Sequence, residues 1–107
     1  MRKLLLALLL FVSCPSYASE KATYYADSFV GHRTASGDTY SHHKLTAAYN
    51  KLPLGTWVKV TDTKTGKFVR VLINDRCGLQ GVIDLSKSAA KALGILKRGV
   101  AYVTIEK

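Results

Sequence analysis

Cysteine is scarce in this chain: of 107 residues only Cys14 and Cys77 carry a thiol. Cys14 lies in an N-terminal segment that is expected to be cleaved off or lipidated. That leaves Cys77 without a partner, so no internal disulfide scaffold is possible in the mature domain. After Val12 no apolar run is long enough to span a bilayer, so no transmembrane segment is expected. Internal repeats, low-complexity stretches and linkers are absent as well, which excludes a repeat array or a pair of tethered domains. Acidic residues are few, seven against sixteen Lys and Arg, giving a formal net charge of +9.

The N-terminus has the form of a secretory signal. Arg2-Lys3 precede the apolar run Leu4 to Val12, Pro15 breaks the run, and Ser16-Tyr17-Ala18 offers small residues before a cut after Ala18. Residues 1–18 are therefore read as a signal peptide and 19–107 as the mature domain, periplasmic or secreted. Phe11-Val12-Ser13-Cys14 supports a second reading, a bacterial lipobox that would anchor the protein through a lipid on Cys14.

Eighty-nine residues make one small domain with a modest core. Without Arg2 and Lys3 there remain fourteen basic and seven acidic residues, +7, which favours an anionic partner. The basic side chains are spread along the chain without clustering or interleaved aromatics. Nucleic acid is therefore not the expected partner, whereas an anionic cell wall suits such a surface.

Strand-like patterns fall at Lys21–Ala26, Leu45–Tyr49, Trp57–Thr61, Phe68–Ile73, Ile83–Leu85 and Gly99–Ile105. Lys64-Thr65-Gly66-Lys67 reads as a hairpin turn. Ser86 reads as the N-cap of a helix through Ala89, Ala90, Ala92 and Leu93 that ends near Gly94. The polar stretch from Asp27 to Lys44 is long for a small domain, and Phe29 and Tyr40 within it predict a packed functional loop. Six short strands in so small a chain are expected to close into a barrel, which removes exposed edges.

The strand ending Ile73-Asn74-Asp75-Arg76-Cys77 would hold Asp75 on rigid backbone, as a catalytic carboxylate requires. On the residues alone, Asp75 capping a turn or pairing with Arg76 or Arg70 is the simpler reading. Asp84, ahead of Leu85-Ser86, reads as a helix cap or barrel anchor, and Cys77 as half-buried packing. His32, His42 and His43 lack carboxylate or cysteine partners at ligand spacing, so a solvated surface is favoured over a metal site, and neither metal nor cofactor is expected. Tyr24, Tyr40, Trp57 and Tyr102 read as core or barrel-surface packing.

Five ordered blocks carry a resemblance: Thr34-Ala35-Ser36-Gly37-Asp38, Leu45-Thr46-Ala47-Ala48-Tyr49, Leu52-Pro53-Leu54-Gly55-Thr56, Ile73-Asn74-Asp75-Arg76 and Ile83-Asp84-Leu85-Ser86. In order and spacing they are similar to the rare lipoprotein A (RlpA) family of septal-ring lytic transglycosylases, over Lys21 to Lys107. The resemblance implies a mainly β fold, a six-stranded double-psi β-barrel with one short helix. It also implies cleavage of peptidoglycan glycan strands between N-acetylmuramic acid and N-acetylglucosamine, leaving 1,6-anhydromuramyl ends. In the family pattern Asp38 stands where a Glu is usual, Tyr49 where a His is usual, and Asp75 is unchanged.

The resemblance implies that Asp75 is catalytic with Asp38 as a second acidic group; Tyr49, Tyr25, Thr46, Asn74 and Arg76 are expected to contact the sugars, since aromatic faces and polar groups suit saccharide rings. One carboxyl can serve first as acid and then as base, because the muramyl 6-hydroxyl itself attacks the anomeric carbon. A monomer is expected. The loop Cys77 to Gly81 is closer to the barwin-like branch of the same barrel, so the alternative is a non-catalytic wall-binding or wall-loosening module of the expansin type.

Overall fold

The computed structural model describes residues 19–107; the signal and lipobox readings fall outside the described residues. Six strands form a closed barrel: β1 (Glu20–Tyr24), β2 (Thr46–Ala48), β3 (Trp57–Asp62), β4 (Phe68–Asp75), β5 (Val82–Leu85) and β6 (Ala101–Glu106). Their order around the barrel is β1-β5-β2-β4-β3-β6. β1 with β5 and β2 with β4 run parallel, and the other neighbours antiparallel. Closure leaves no strand edge to pair with another chain.

Alternation explains the core. Val58 and Val60 of β3, Val69, Val71 and Ile73 of β4, and Ala101, Val103 and Ile105 of β6 point inward and are buried. The helix α1 (Lys87–Leu93) adds Ala89, Ala90 and Leu93 to the same core. Ser86 caps it by accepting a hydrogen bond from the Ala89 N–H, and Gly94 ends it in the left-handed conformation (φ 83°). The β3–β4 turn is tied by Asp62, fully buried, whose carboxylate accepts from the Lys64 N–H (3.0 Å), the Thr65 hydroxyl (3.2 Å) and the Arg98 guanidinium.

Each strand differs from the pattern-based expectation by one or two residues at one end or both, and two of these ends bear on the site. β1 stops at Tyr24 rather than Ala26: the Tyr25 N–H makes the last bond of the parallel ladder, to the Leu85 carbonyl (2.9 Å), and the chain then enters the single turn Asp27–Phe29. β4 runs past Ile73 to Asp75, because parallel pairing with β2 continues there with a shift. Ala47 pairs with Ile73 but Ala48 pairs with Asp75, so Asn74 is an extra residue in the strand. Strict alternation would send Asp75 inward with Val71 and Ile73; the bulge re-aims it onto the outer face, beside Ala48.

Candidate active site

Asp75 is half-buried at the end of β4 and all three groups bonded to its carboxylate are donors. The Tyr25 hydroxyl donates to Oδ2 (2.7 Å), and the N–H groups of Ala35 and Arg76 donate to Oδ1 (2.9 Å each). Tyr25 is fixed in turn: its ring stacks on Tyr40 at 4.0 Å and 10°, with Ala48 and Cys77 completing the cluster. Burial, followed by the bond to Asp75, holds the Tyr25 hydroxyl well above the ordinary tyrosine value, so Tyr25 stays a donor.

The long loop delivers the other donor. Within it, Thr34 N–H donates to the Asp38 carbonyl (2.7 Å) and Gly37 N–H to the Thr34 carbonyl (2.9 Å), while Ser36 N–H docks on the Asn74 carbonyl (3.1 Å). Gly37 has φ 96°, a conformation that excludes most side chains. The turn thereby presents Ala35 to Asp75. Asp38 is exposed, and its carboxylate accepts from the Asn74 amide (3.3 Å) rather than touching Asp75. The other amide atom of Asn74, Oδ1, is buried without a hydrogen-bond partner.

A second carboxylate stands on the same face. β5 pairs Ala48 with Asp84, and β1 pairs Asp84 with Thr23. Paired residues share a face, so Thr23, Asp84, Ala48 and Asp75 form one row across four neighbouring strands. Two strand spacings separate Asp84 from Asp75, roughly 10 Å between Cα atoms, and Ala48 lies between them, buried in the cluster of Tyr25 and Tyr40. Asp84 is half-buried and accepts from the Thr23 hydroxyl (2.9 Å). Burial, and after it the charge of Asp75, raise its carboxyl above the ordinary range, against the lowering effect of Thr23.

Asp84 is the residue of this row that the sequence reading assigned to capping or anchoring. Ser86 caps the helix, so the cap role is not taken by Asp84. The signal was in the alternation: Ile83 and Leu85 face the core, which turns the residue between them outward.

The structure does not bring every expected residue to this face. The Tyr49 side chain is buried in the barrel core and its hydroxyl donates to Glu20 (3.3 Å), because Tyr49 shares the inward parity of Ala47. Burial and the Glu20 carboxylate push that hydroxyl up to about 12. Thr46 lies on the outer face but is buried, its N–H directed to the Ser86 hydroxyl (3.4 Å). Arg76 turns its guanidinium away from Asp75, donating to the carbonyls of Tyr49 (2.7 Å) and Leu52 (2.6 Å). The ion pairs of Lys and Arg among the described residues are Lys51–Glu20, Lys87–Asp27 and Arg98–Asp62, so Asp75 pairs with neither Arg76 nor Arg70.

His42 departs from the solvated reading: it bridges the Tyr40 hydroxyl (2.8 Å) and Asp27 (2.8 Å), and so braces the stack under Asp75. Cys77 is half-buried against that stack, with backbone N–H and carbonyl both held by the Asn50 amide (2.8 Å each). Among the described residues no cluster of three His, Cys, Asp or Glu could hold a metal ion.

A closed six-stranded barrel with two parallel pairs is the double-psi β-barrel, here with an acidic row on its outer face. Residues 17–105 match the family described as lytic transglycolase, and the chain belongs to that family. It is 43% identical over 88 residues to the endolytic peptidoglycan transglycosylase RlpA of Neisseria meningitidis, covering 80% of this chain and 37% of that one. A probable endolytic peptidoglycan transglycosylase RlpA of Treponema pallidum is 49% identical over 88 residues, 80% of this chain and 28% of its own. The chain thus spans less than two fifths of these relatives. Among solved structures, the Streptomyces papain inhibitor aligns with TM-score 0.64 at 27% identity, over 86% of this chain and 96% of its own. An expansin of Clavibacter michiganensis aligns with TM-score 0.67 at 24% identity, over 85% and 50%, a likeness of fold alone.

Proposed function

We propose that this domain is an endolytic peptidoglycan transglycosylase that cuts glycan strands between N-acetylmuramic acid and N-acetylglucosamine and leaves 1,6-anhydromuramyl ends. The observation that carries the reading is the outer-face row in which Asp75 and Asp84 flank Ala48. The names of the RlpA relatives support it.

The two carboxyls have different surroundings and take different roles. Asp84, raised by burial and by the charge of Asp75, starts protonated in a larger share of molecules than an ordinary aspartate and gives its proton to the departing glycosidic oxygen. Asp75, held by Tyr25, Ala35 and Arg76, is the acceptor: it steadies positive charge developing at the anomeric carbon and takes the proton of the attacking 6-hydroxyl. No water is consumed. Solvent exchange then returns the proton from Asp75 to Asp84. Asp38 acts through Asn74 as a positioning residue for the loop.

The substrate lies in the wall, so the domain works outside the cytoplasmic membrane, released by cleavage after Ala18 or held by a lipid on Cys14. No helix among the described residues is long and apolar enough to cross a membrane. The deciding experiment incubates the purified domain with peptide-free glycan strands and looks for anhydromuramyl products by mass spectrometry. Their absence at high protein concentration, with salt-sensitive pelleting on insoluble peptidoglycan retained, would select the wall-binding alternative.

A further inference from the structure

A second feature of the outer face begins one row from Asp75. β4 pairs Leu72 with both Thr46 of β2 and Trp57 of β3, so Trp57 shares the face of Ala48 and Asp75. One strand spacing across and two to three residues along place Trp57 roughly 10 Å from Asp75, between Cα atoms. The face continues down β3 and β4 through the pair Lys59 and Arg70 to the pair Thr61 and Phe68. Trp57 and Phe68 are 57% and 54% exposed, far more than packing would require. The Lys59 ammonium lies 4.5 Å from the Phe68 ring centre. On the other side Lys59 faces Glu106 of β6, so the middle of the face holds two cations and one carboxylate.

From these positions we infer that the outer face of β3 and β4, from Trp57 to Phe68, is an extended subsite for the glycan strand leading away from Asp75. Trp57 supplies a flat apolar surface for a sugar ring beside the cleaved bond. Phe68 supplies a second, about 14 Å further along the strand. Lys59 and Arg70 between them meet carboxylates, which in peptidoglycan sit on the muramyl lactyl group or on the stem peptide. This spacing suits an anionic sugar chain better than a second copy of the domain, since the centre of a protein interface is depleted of charged residues. The inference rests on the reading of the site as one that acts on peptidoglycan.

Trp57 is the only tryptophan of the sequence, so its fluorescence reports on this face directly. The test titrates the Asp75→Asn protein with soluble peptide-free glycan strands and, separately, with strands that keep their stem peptides. A saturable change of Trp57 emission is expected, with affinity weakened on the order of tenfold by Phe68→Ala. Arg70→Ala should flatten the salt dependence of binding. Stronger binding of the peptide-free strands assigns the lactyl carboxylate to Lys59 and Arg70; stronger binding of the others assigns the stem peptide.

In parallel, Trp57→Ala should weaken pelleting with insoluble peptidoglycan by a similar factor, and Trp57→Tyr should restore it. Unchanged emission at saturating glycan, or pelleting indifferent to Trp57→Ala and Phe68→Ala, overturns the inference. So does a concentration-dependent dimer, seen by sedimentation, that Phe68→Ala abolishes. Binding with these signatures but no anhydro ends from the unsubstituted protein would sink the catalytic reading and leave the subsite standing.

Discussion

Asp75 and Asp84 are both paired to Ala48, from opposite sides, and therefore look out from the same face of the barrel. Among the described residues neither is in an ion pair, and their surroundings differ: three donors hold Asp75, while the one bond found for Asp84 comes from Thr23. Two carboxyls with unlike surroundings are the means by which one site supplies both an acid and a base.

Asp84→Asn should lower the rate of anhydro-product formation by about two orders of magnitude or more, the range expected for loss of a general acid. Its stability effect has the opposite sign. A carboxyl whose folded value is raised binds more protons folded than unfolded, so its contribution is present at low pH and is lost as pH rises through the raised value. At pH 7 Asp84→Asn should therefore leave the urea midpoint unchanged or higher. A lower midpoint would mark Asp84 as a structural anchor.

Thr23→Val gives a readout that loss of structure would not. The Thr23 hydroxyl lowers the Asp84 carboxyl, so removing it raises that group further. The basic limb of the pH–rate profile should move to higher pH in Thr23→Val, with the acidic limb in place. An unmoved basic limb would exclude Asp84 as the proton donor.

Tyr25 and Tyr49 separate the two faces of the barrel. Tyr25→Phe removes a donor to Asp75 while keeping the stack on Tyr40, and should reduce the rate by about tenfold to a hundredfold in a folded protein. Tyr49→Phe should leave kcat and KM unchanged and cost about 1 kcal/mol of stability, the worth of the bond to Glu20. A loss of activity in Tyr49→Phe with the melting temperature intact would place Tyr49 back among the sugar contacts.

The barrel and its helix were legible because their signals are local. Alternating Val and Ile marked β3, β4 and β6, and Ser86 and Gly94 marked the ends of the helix. Asp75 was legible from its place at a strand end. The direction of its side chain was not, because that depends on the Asn74 bulge, which exists only through parallel pairing between β2 and β4, whose paired residues are 26 or 27 apart in sequence. The same holds for Tyr49, whose alignment with a family histidine said nothing of which face it takes. Arg76 looked like a partner for Asp75 by adjacency alone; its guanidinium is used instead to hold the Tyr49–Leu52 backbone.

The Asp62–Arg98 pair should set the acid limit of the fold. Burial alone would raise the Asp62 carboxyl, but the Lys64 N–H, Arg98 and Thr65 outweigh it and bring the group below its ordinary value. A carboxylate lowered in the folded state contributes stability above its unfolded value, near 4, and loses it as pH falls through the folded value. Arg98→Ala leaves Asp62 buried with a weaker set of donors and should cost roughly 2–4 kcal/mol at pH 7. Urea unfolding from pH 7 down to the acid limit of the fold checks this: the gap between the Arg98→Ala and unsubstituted proteins should narrow as pH falls through the lowered Asp62 value. A gap that stays constant down to acid unfolding would mean that Arg98 acts through packing of its stem and not through the charge on Asp62.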